Sequence, residues 1–171
     1  MGLSNVGIVH TIIGIIAVVA AIVSYLRFGK INLAAVWGKL YFYTTLITSL
    51  TALGISKRGG FNAGHGFSIL IVVLVLIAYF LYVKKKGNNR SRYFENFLLT
   101  FSFFLSWLPT VNETFTRVPL GHPLATNPGD PVIVKTLLVL FILFVAGSVV
   151  QFLKQKNLNK GSRRAYNENS V

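Results

Sequence analysis

The sequence predicts an all-α, polytopic membrane protein, a bundle of five transmembrane helices, and three observations predict it. Of its 171 residues 53% are hydrophobic and only 12% charged, half the ~25% charge of a soluble domain. The apolar residues gather in five blocks, each close to the ~20 residues a helix needs to span ~30 Å of hydrocarbon. The connections between blocks are short, leaving no room for a soluble domain. Spanning strands need only ~10 residues and alternate apolar with polar; Ile69–Ala78 does not alternate.

The expected spans are Val6–Tyr25, Val36–Ile55, Gly64–Val83, Tyr93–Val111 and Val132–Leu153, so residues 1–153 form one transmembrane domain. The first span is read as a true helix rather than a cleavable signal. No Lys or Arg precedes it, its apolar run exceeds an ordinary signal core, and no small-residue cleavage site follows. It carries a stripe of Gly7, His10, Gly14, Ala17, Ala21 and Ser24 on one face. Small residues let helices approach closely in lipid, so this face is the expected packing seam and His10 points into the bundle. The second span presents Tyr41, Thr44, Thr48 and Thr51, flanked by Thr45 and Ser49. The fourth places Ser102, Ser106, Pro109 and Glu113 on one face, and Pro109 is expected to kink or end it. The outer loop with Pro119, Pro123, Pro128 and Pro131 is read as ordered and extended. Residues 154–171 are rich in Lys, Arg, Asn and Ser and are expected to fray or be disordered.

Charge sets the orientation. The formal net charge is +13, and its placement alternates: 13 of the 17 basic residues flank one set of ends, around Arg27–Lys39, Lys84–Arg92 and the C-terminal tail. The opposite set holds four, Lys57, Arg58, Arg117 and Lys135. The positive-inside rule then places the N-terminus outside and the basic C-terminus in the cytoplasm of an inner (plasma) membrane. The partners implied are the lipid bilayer with its anionic headgroups and other membrane-protein subunits; no nucleic-acid-binding motif accompanies the charge. There is no cysteine, which removes thiol nucleophiles, disulfides, iron–sulfur ligation and covalent c-type haem. Trp37, Tyr41, Tyr43, Tyr79, Tyr82, Tyr93 and Trp107 fit aromatic belts at the headgroup level.

With this orientation His10, His65, Glu113, His122 and Asp130 share the outer side. The segment Gly59–Gly66 holds four glycines in eight residues and can bend His65 toward other helices. His10 and His65 are therefore candidate ligands of a b-type haem, with Lys57, Arg58 and Arg117 placed for its propionates or another anion. The alternative is a divalent metal on His10, His65 and Glu113, or a His–Glu proton relay. Beside these stands a plainer reading, in which His10 hydrogen-bonds a neighbouring helix, His65 is an interfacial loop residue, and Glu113–Arg117 is an exposed i, i+4 ion pair worth a few tenths of a kcal/mol. No Walker loop, HExxH or nucleophile elbow is present, and no enzyme is expected.

The patterns His10…Gly14…Gly38-Lys39-x-Tyr41, Gly59-Gly60-Phe61-x-x-Gly64-His65 and Pro109-Thr110-Val111-x-Glu113-Thr114-x-Thr116-Arg117-x-Pro119 resemble a domain-of-unknown-function family of small bacterial membrane proteins, loosely similar to cytochrome b561. Ala35-Val36-Trp37 stands where that family tends to have His-Arg before the Gly-Lys motif, and the evenly paired histidines of a two-haem core are missing. The resemblance therefore implies one outer haem at most. The expected function is a small non-enzymatic membrane protein with a haem or metal site near the outer surface. The alternatives are an accessory or structural subunit of a larger membrane complex and a small transporter, which requires a polar path through Thr44, Thr48 or Ser102.

Overall fold

The computed structural model describes residues 5–55, 60–84, 88–119 and 121–168, and side chains up to residue 161. These residues form five helices and no strand: α1 (Asn5–Phe28), α2 (Val36–Ala52), α3 (Ala63–Lys84), α4 (Asn89–Phe115) and α5 (Pro131–Glu168). Each helix packs on the next in sequence, as short connections require. One core draws on α1 to α4, through Ala17, Ala20, Ala21, Tyr41, Phe42, Val75, Ala78 and Leu99. α5 lies outside it and rests on α4.

The expected five spans are met in part. α1, α3 and residues Pro131–Gly161 of α5 are long and apolar enough to cross a membrane; α2 and α4 are not. The reasons differ. The apolar block Val36–Ile55 does not stay helical to its end: α2 stops at Ala52 and turns through Leu53 and Gly54. Its 17 residues rise only ~25 Å. α4 has ample length, at 27 residues, but carries too many polar side chains to pass as an apolar span. It also continues through Pro109 to Phe115 rather than ending there. α5 runs well past Leu153 into the stretch expected to fray. The loop after α4 is ordered but folds back instead of extending: Ala125 N–H donates to Phe115 O at 2.9 Å, and Ala125 is buried against Val111 and Ile133.

The small-residue stripe of α1 is the seam. Gly7, Ala17, Ala21 and Ser24 are buried, whereas Ile15 and Val19 are exposed. A Cβ on Gly14 would stand 3.5 Å from the Thr48 methyl of α2, ordinary contact distance.

The α1–α2 loop is tucked under this seam. Ser24 Oγ donates to Lys30 O and accepts from Asn32 N–H, both at 3.0 Å. Ile31 and Leu33 then plug the end of the core. Gly38, in the first turn of α2, presses on the loop backbone so closely that a Cβ would lie 2.0 Å from Asn32 O and 2.3 Å from its carbonyl carbon. Only hydrogen fits there. Gly38→Ala is therefore expected to cost more than the ~1–3 kcal/mol of ordinary overpacking, since backbone rather than a side-chain tip must move. Gly147→Ala, with no atom within 4 Å of the new Cβ, should be neutral or slightly stabilising, given alanine's ~1 kcal/mol helix advantage. Unfolding of the two variants in detergent checks the contrast, and equal stabilities would contradict it.

Candidate functional site

The polar residues the bundle buries form two runs that meet on α4. Near the start of α1, α1 and α2 are bridged by His10 and Thr51, with Nδ1 and Oγ1 3.1 Å apart. The Thr51 hydroxyl hydrogen is committed to the carbonyl of Ile47 or Thr48, each at 2.9 Å. Its oxygen can therefore only accept, so in the neutral ring Nδ1 is the donor of this contact and Nε2 the unprotonated nitrogen. The Glu113 carboxylate lies within electrostatic reach of this imidazole.

Deeper along α2, Thr44, Thr45 and Ser49 are buried. The hydroxyls of Thr45 and Thr48 have no hydrogen-bond partner among the described residues. Tyr41 follows, 1% exposed, its hydroxyl 2.8 Å from Ser102 Oγ of α4, which is 0% exposed. The Tyr41 and Tyr25 rings both pack on Phe103.

The inner run starts at Tyr25. Its hydroxyl donates to Thr100 Oγ1 at 2.9 Å, and Thr100 donates to Gln151 Oε1 of α5 at 2.9 Å or to Asn96 O at 2.7 Å. Asn96 Nδ2 reaches Gln155 Oε1 at 3.4 Å, Gln155 Nε2 donates to Asn159 Oδ1 at 2.9 Å, and Asn159 Nδ2 donates to the Tyr93 hydroxyl at 3.2 Å. Glu95, also buried, interacts with Lys30 and Arg92. Burial pushes the Lys30 amine below its ordinary range, the Glu95 carboxylate raises it again, and Arg92 adds to the lowering.

The remaining outer residues are placed apart. His65 is buried at the start of α3, where its Nδ1 accepts from Asn62 N–H and its own N–H donates to Asn62 Oδ1, both at 3.2 Å. This is a reciprocal helix cap. Accepting at Nδ1 makes Nε2 the N–H of the neutral ring, and Nε2 is buried without a partner among the described residues. No hydrogen bond joins His65 to His10. Glu113 forms the i, i+4 ion pair with Arg117. Asp130 caps α5, accepting from Val132 N–H at 3.1 Å, with Pro131 next at the favoured first helical position. His122 is exposed. Lys57 and Arg58 lie outside the described residues. Among the described residues no three His, Asp or Glu side chains gather as a metal ion would require.

The inner amide run was absent from the sequence-based site, although its signal was present. Gln151, Gln155 and Asn159 recur every four residues on α5, and Asn96 and Thr100 do so on α4, which puts each set on one face. Removing one link tests the network. Thr100→Val and Gln151→Leu should each destabilise the bundle, and a double-mutant cycle should return a coupling of about 0.6–1.7 kcal/mol, the range for such bonds in membrane bundles. Additive effects would mean the two side chains do not act on each other. No family model, no curated protein and no solved structure matches this chain.

Proposed function

We propose that this protein is a small, non-enzymatic proton-conducting transporter of the inner membrane, with all five helices crossing the bilayer, the N-terminus outside and the C-terminus in the cytoplasm. The observation that carries the reading is a series of three hydrogen-bonded polar groups spaced along the bundle, His10–Thr51, Tyr41–Ser102 and Tyr25–Thr100–Gln151. Buried polar groups in a membrane helix are expensive and face the interior of a bundle or a conduction path. Here the line is closely packed, so a solute would have to displace side chains. A proton needs hydroxyls to give up their bonds to backbone carbonyls, rotate, and cross the gaps between the groups, where the Thr44, Thr45 and Thr48 hydroxyls lie. His10 supplies a basic Nε2 at the outer end. Glu95 and Lys30 supply titratable groups at the inner end.

The orientation is supported by the 13-to-4 division of basic residues. α2 and α4 fit as spans because the other helices shield their polar faces, while Val36, Tyr43, Ile47, Leu50, Phe94 and Phe97 are turned outward. Reporter fusions after Arg90 and after Val171 should read cytoplasmic, and one within 125–129 should read external. An external C-terminus would reverse the direction of the path.

Flux is measured with the purified chain in liposomes holding a pH-sensitive dye under a potassium diffusion potential. Expected is acidification faster than in protein-free vesicles, reduced at least tenfold by Tyr41→Phe, Ser102→Ala or His10→Gln, and unchanged by Thr110→Val on the exposed side of α4. Flux no greater than in protein-free vesicles overturns the proposal. A second reading keeps His10 as a ligand: a ring held at Nδ1 by an acceptor, with Nε2 free, is how proteins orient a metal- or haem-binding histidine. Under that reading the preparation absorbs in the Soret region or contains metal, and His10→Ala removes the signal.

A further inference from the structure

Between α4 and α5, near the inner end, a cleft of about 210 Å³ is lined by Tyr93, Phe94, Phe97, Phe152, Asn96, Ser148 and Gln151. It is partly open toward the surface that faces lipid, where Phe94 and Phe152 are both exposed. An apolar cavity of ~150 Å³ holds a benzene molecule, so this cleft accommodates a ring with a substituent.

Its walls and its polar groups call for different parts of one ligand. Tyr93 and Phe152 pack on each other, tilted, at 4.9 Å between centroids, so they form one wall, and with Phe97 they present aromatic surface to a flat ring. Asn96 is 6% exposed, and its Oδ1 has no hydrogen-bond partner among the described residues; nor does Ser148 Oγ, also buried. Asn96 Nδ2 is directed at Gln155, so the amide has an acceptor to spare. A buried acceptor left unmatched costs ~1–3 kcal/mol, which a donor entering the cleft would recover.

We infer that the α4–α5 cleft is a binding site for a lipid-phase phenol, with the ring against the aromatic lining, the hydroxyl donating to Asn96 Oδ1 and meeting Ser148 Oγ, and an alkyl tail leaving into the bilayer. A phenol supplies in one molecule the donor and the ring the cleft lacks. An acyl chain fills the space but leaves both polar atoms unmatched. The inference is independent of proton conduction, because it requires only occupancy.

The probe is 4-nonylphenol, partitioned between empty nanodiscs and nanodiscs carrying the full chain. Expected is a saturable excess of one molecule per chain, about tenfold weaker binding in Asn96→Leu, and none in Ser148→Phe, whose ring occupies the cleft. Nonylbenzene, which lacks the hydroxyl, should bind at least tenfold more weakly. A signal that does not saturate, or an excess that survives Ser148→Phe, overturns the site. Equal binding of nonylbenzene overturns the hydrogen-bonded recognition. Because Asn96 also bonds Gln155, Asn96→Leu can fail to fold; Ser148→Phe and nonylbenzene then decide.

Discussion

The organisation of this bundle follows from one polar face of α4. A buried hydroxyl or amide left unbonded is costly, so that face needs partners on the other helices. It carries Glu95, Asn96, Thr100, Ser102 and Ser106, and the first four are buried. α1 reaches it through Tyr25, α2 through Tyr41, and α5 through Gln151 and Gln155. α3 covers a different flank, with Ile71 and Leu74 on Leu105. The hydroxyls of Ser102, Ser106, Thr110 and Thr116 bond back to carbonyls of their own helix, which limits the demand on neighbours. The polar face of α4 is thus covered, while Phe94 and Phe97 stay exposed on its other side.

Close approach makes that enclosure possible. Without a hydrophobic force between helices in lipid, association depends on packing and on interhelical bonds. α1 contributes small residues on its inner face, and Gly38 lets the start of α2 rest on the backbone of the loop before it. That loop, held by Ser24, sets the register between α1 and α2 and so brings Tyr25 and Tyr41 level with adjacent turns of α4. α5 relies less on small residues. Phe97, Phe101 and Phe104 of α4 meet Phe141 and Phe144 of α5 in a run of ring contacts, below which the amides and the phenol-sized cleft are found.

Much of this arrangement could be read from residue spacing. The small stripe on α1 and the hydroxyl face on α2 were visible because a period of 3.6 residues places them on one side, and the structure turns both inward. Hydropathy placed five helices, but it cannot see where a helix ends inside an apolar block. The turn at Leu53–Gly54 shortens α2, while favourable backbone bonding carries α5 beyond its apolar part. The candidate site was harder to read. Attention to titratable residues singled out the outer histidines, each of which has a local role: His10 bridges to Thr51 and His65 caps α3. The neutral amides Asn96, Gln151, Gln155 and Asn159 carry no charge to attract notice, and their pairing depends on two helices distant in sequence.

Most buried polar groups here serve as links between helices, so a hydrogen bond by itself does not distinguish structure from activity. The discriminating atoms are those that packing leaves with capacity to spare. Tyr93, Thr100 and Asn159 each have partners that account for their positions. The His10 ring is held through Nδ1, which leaves Nε2 outside the α1–α2 contact. Asn96 Oδ1 and Ser148 Oγ are buried with no hydrogen-bond partner among the described residues. In a medium where unmatched polar atoms are costly, groups of this kind weaken the bundle unless something else engages them. They lie on different faces, His10 between α1 and α2, Asn96 and Ser148 between α4 and α5. A proton acting at the first and a lipid-phase donor at the second would meet separate needs of the same fold.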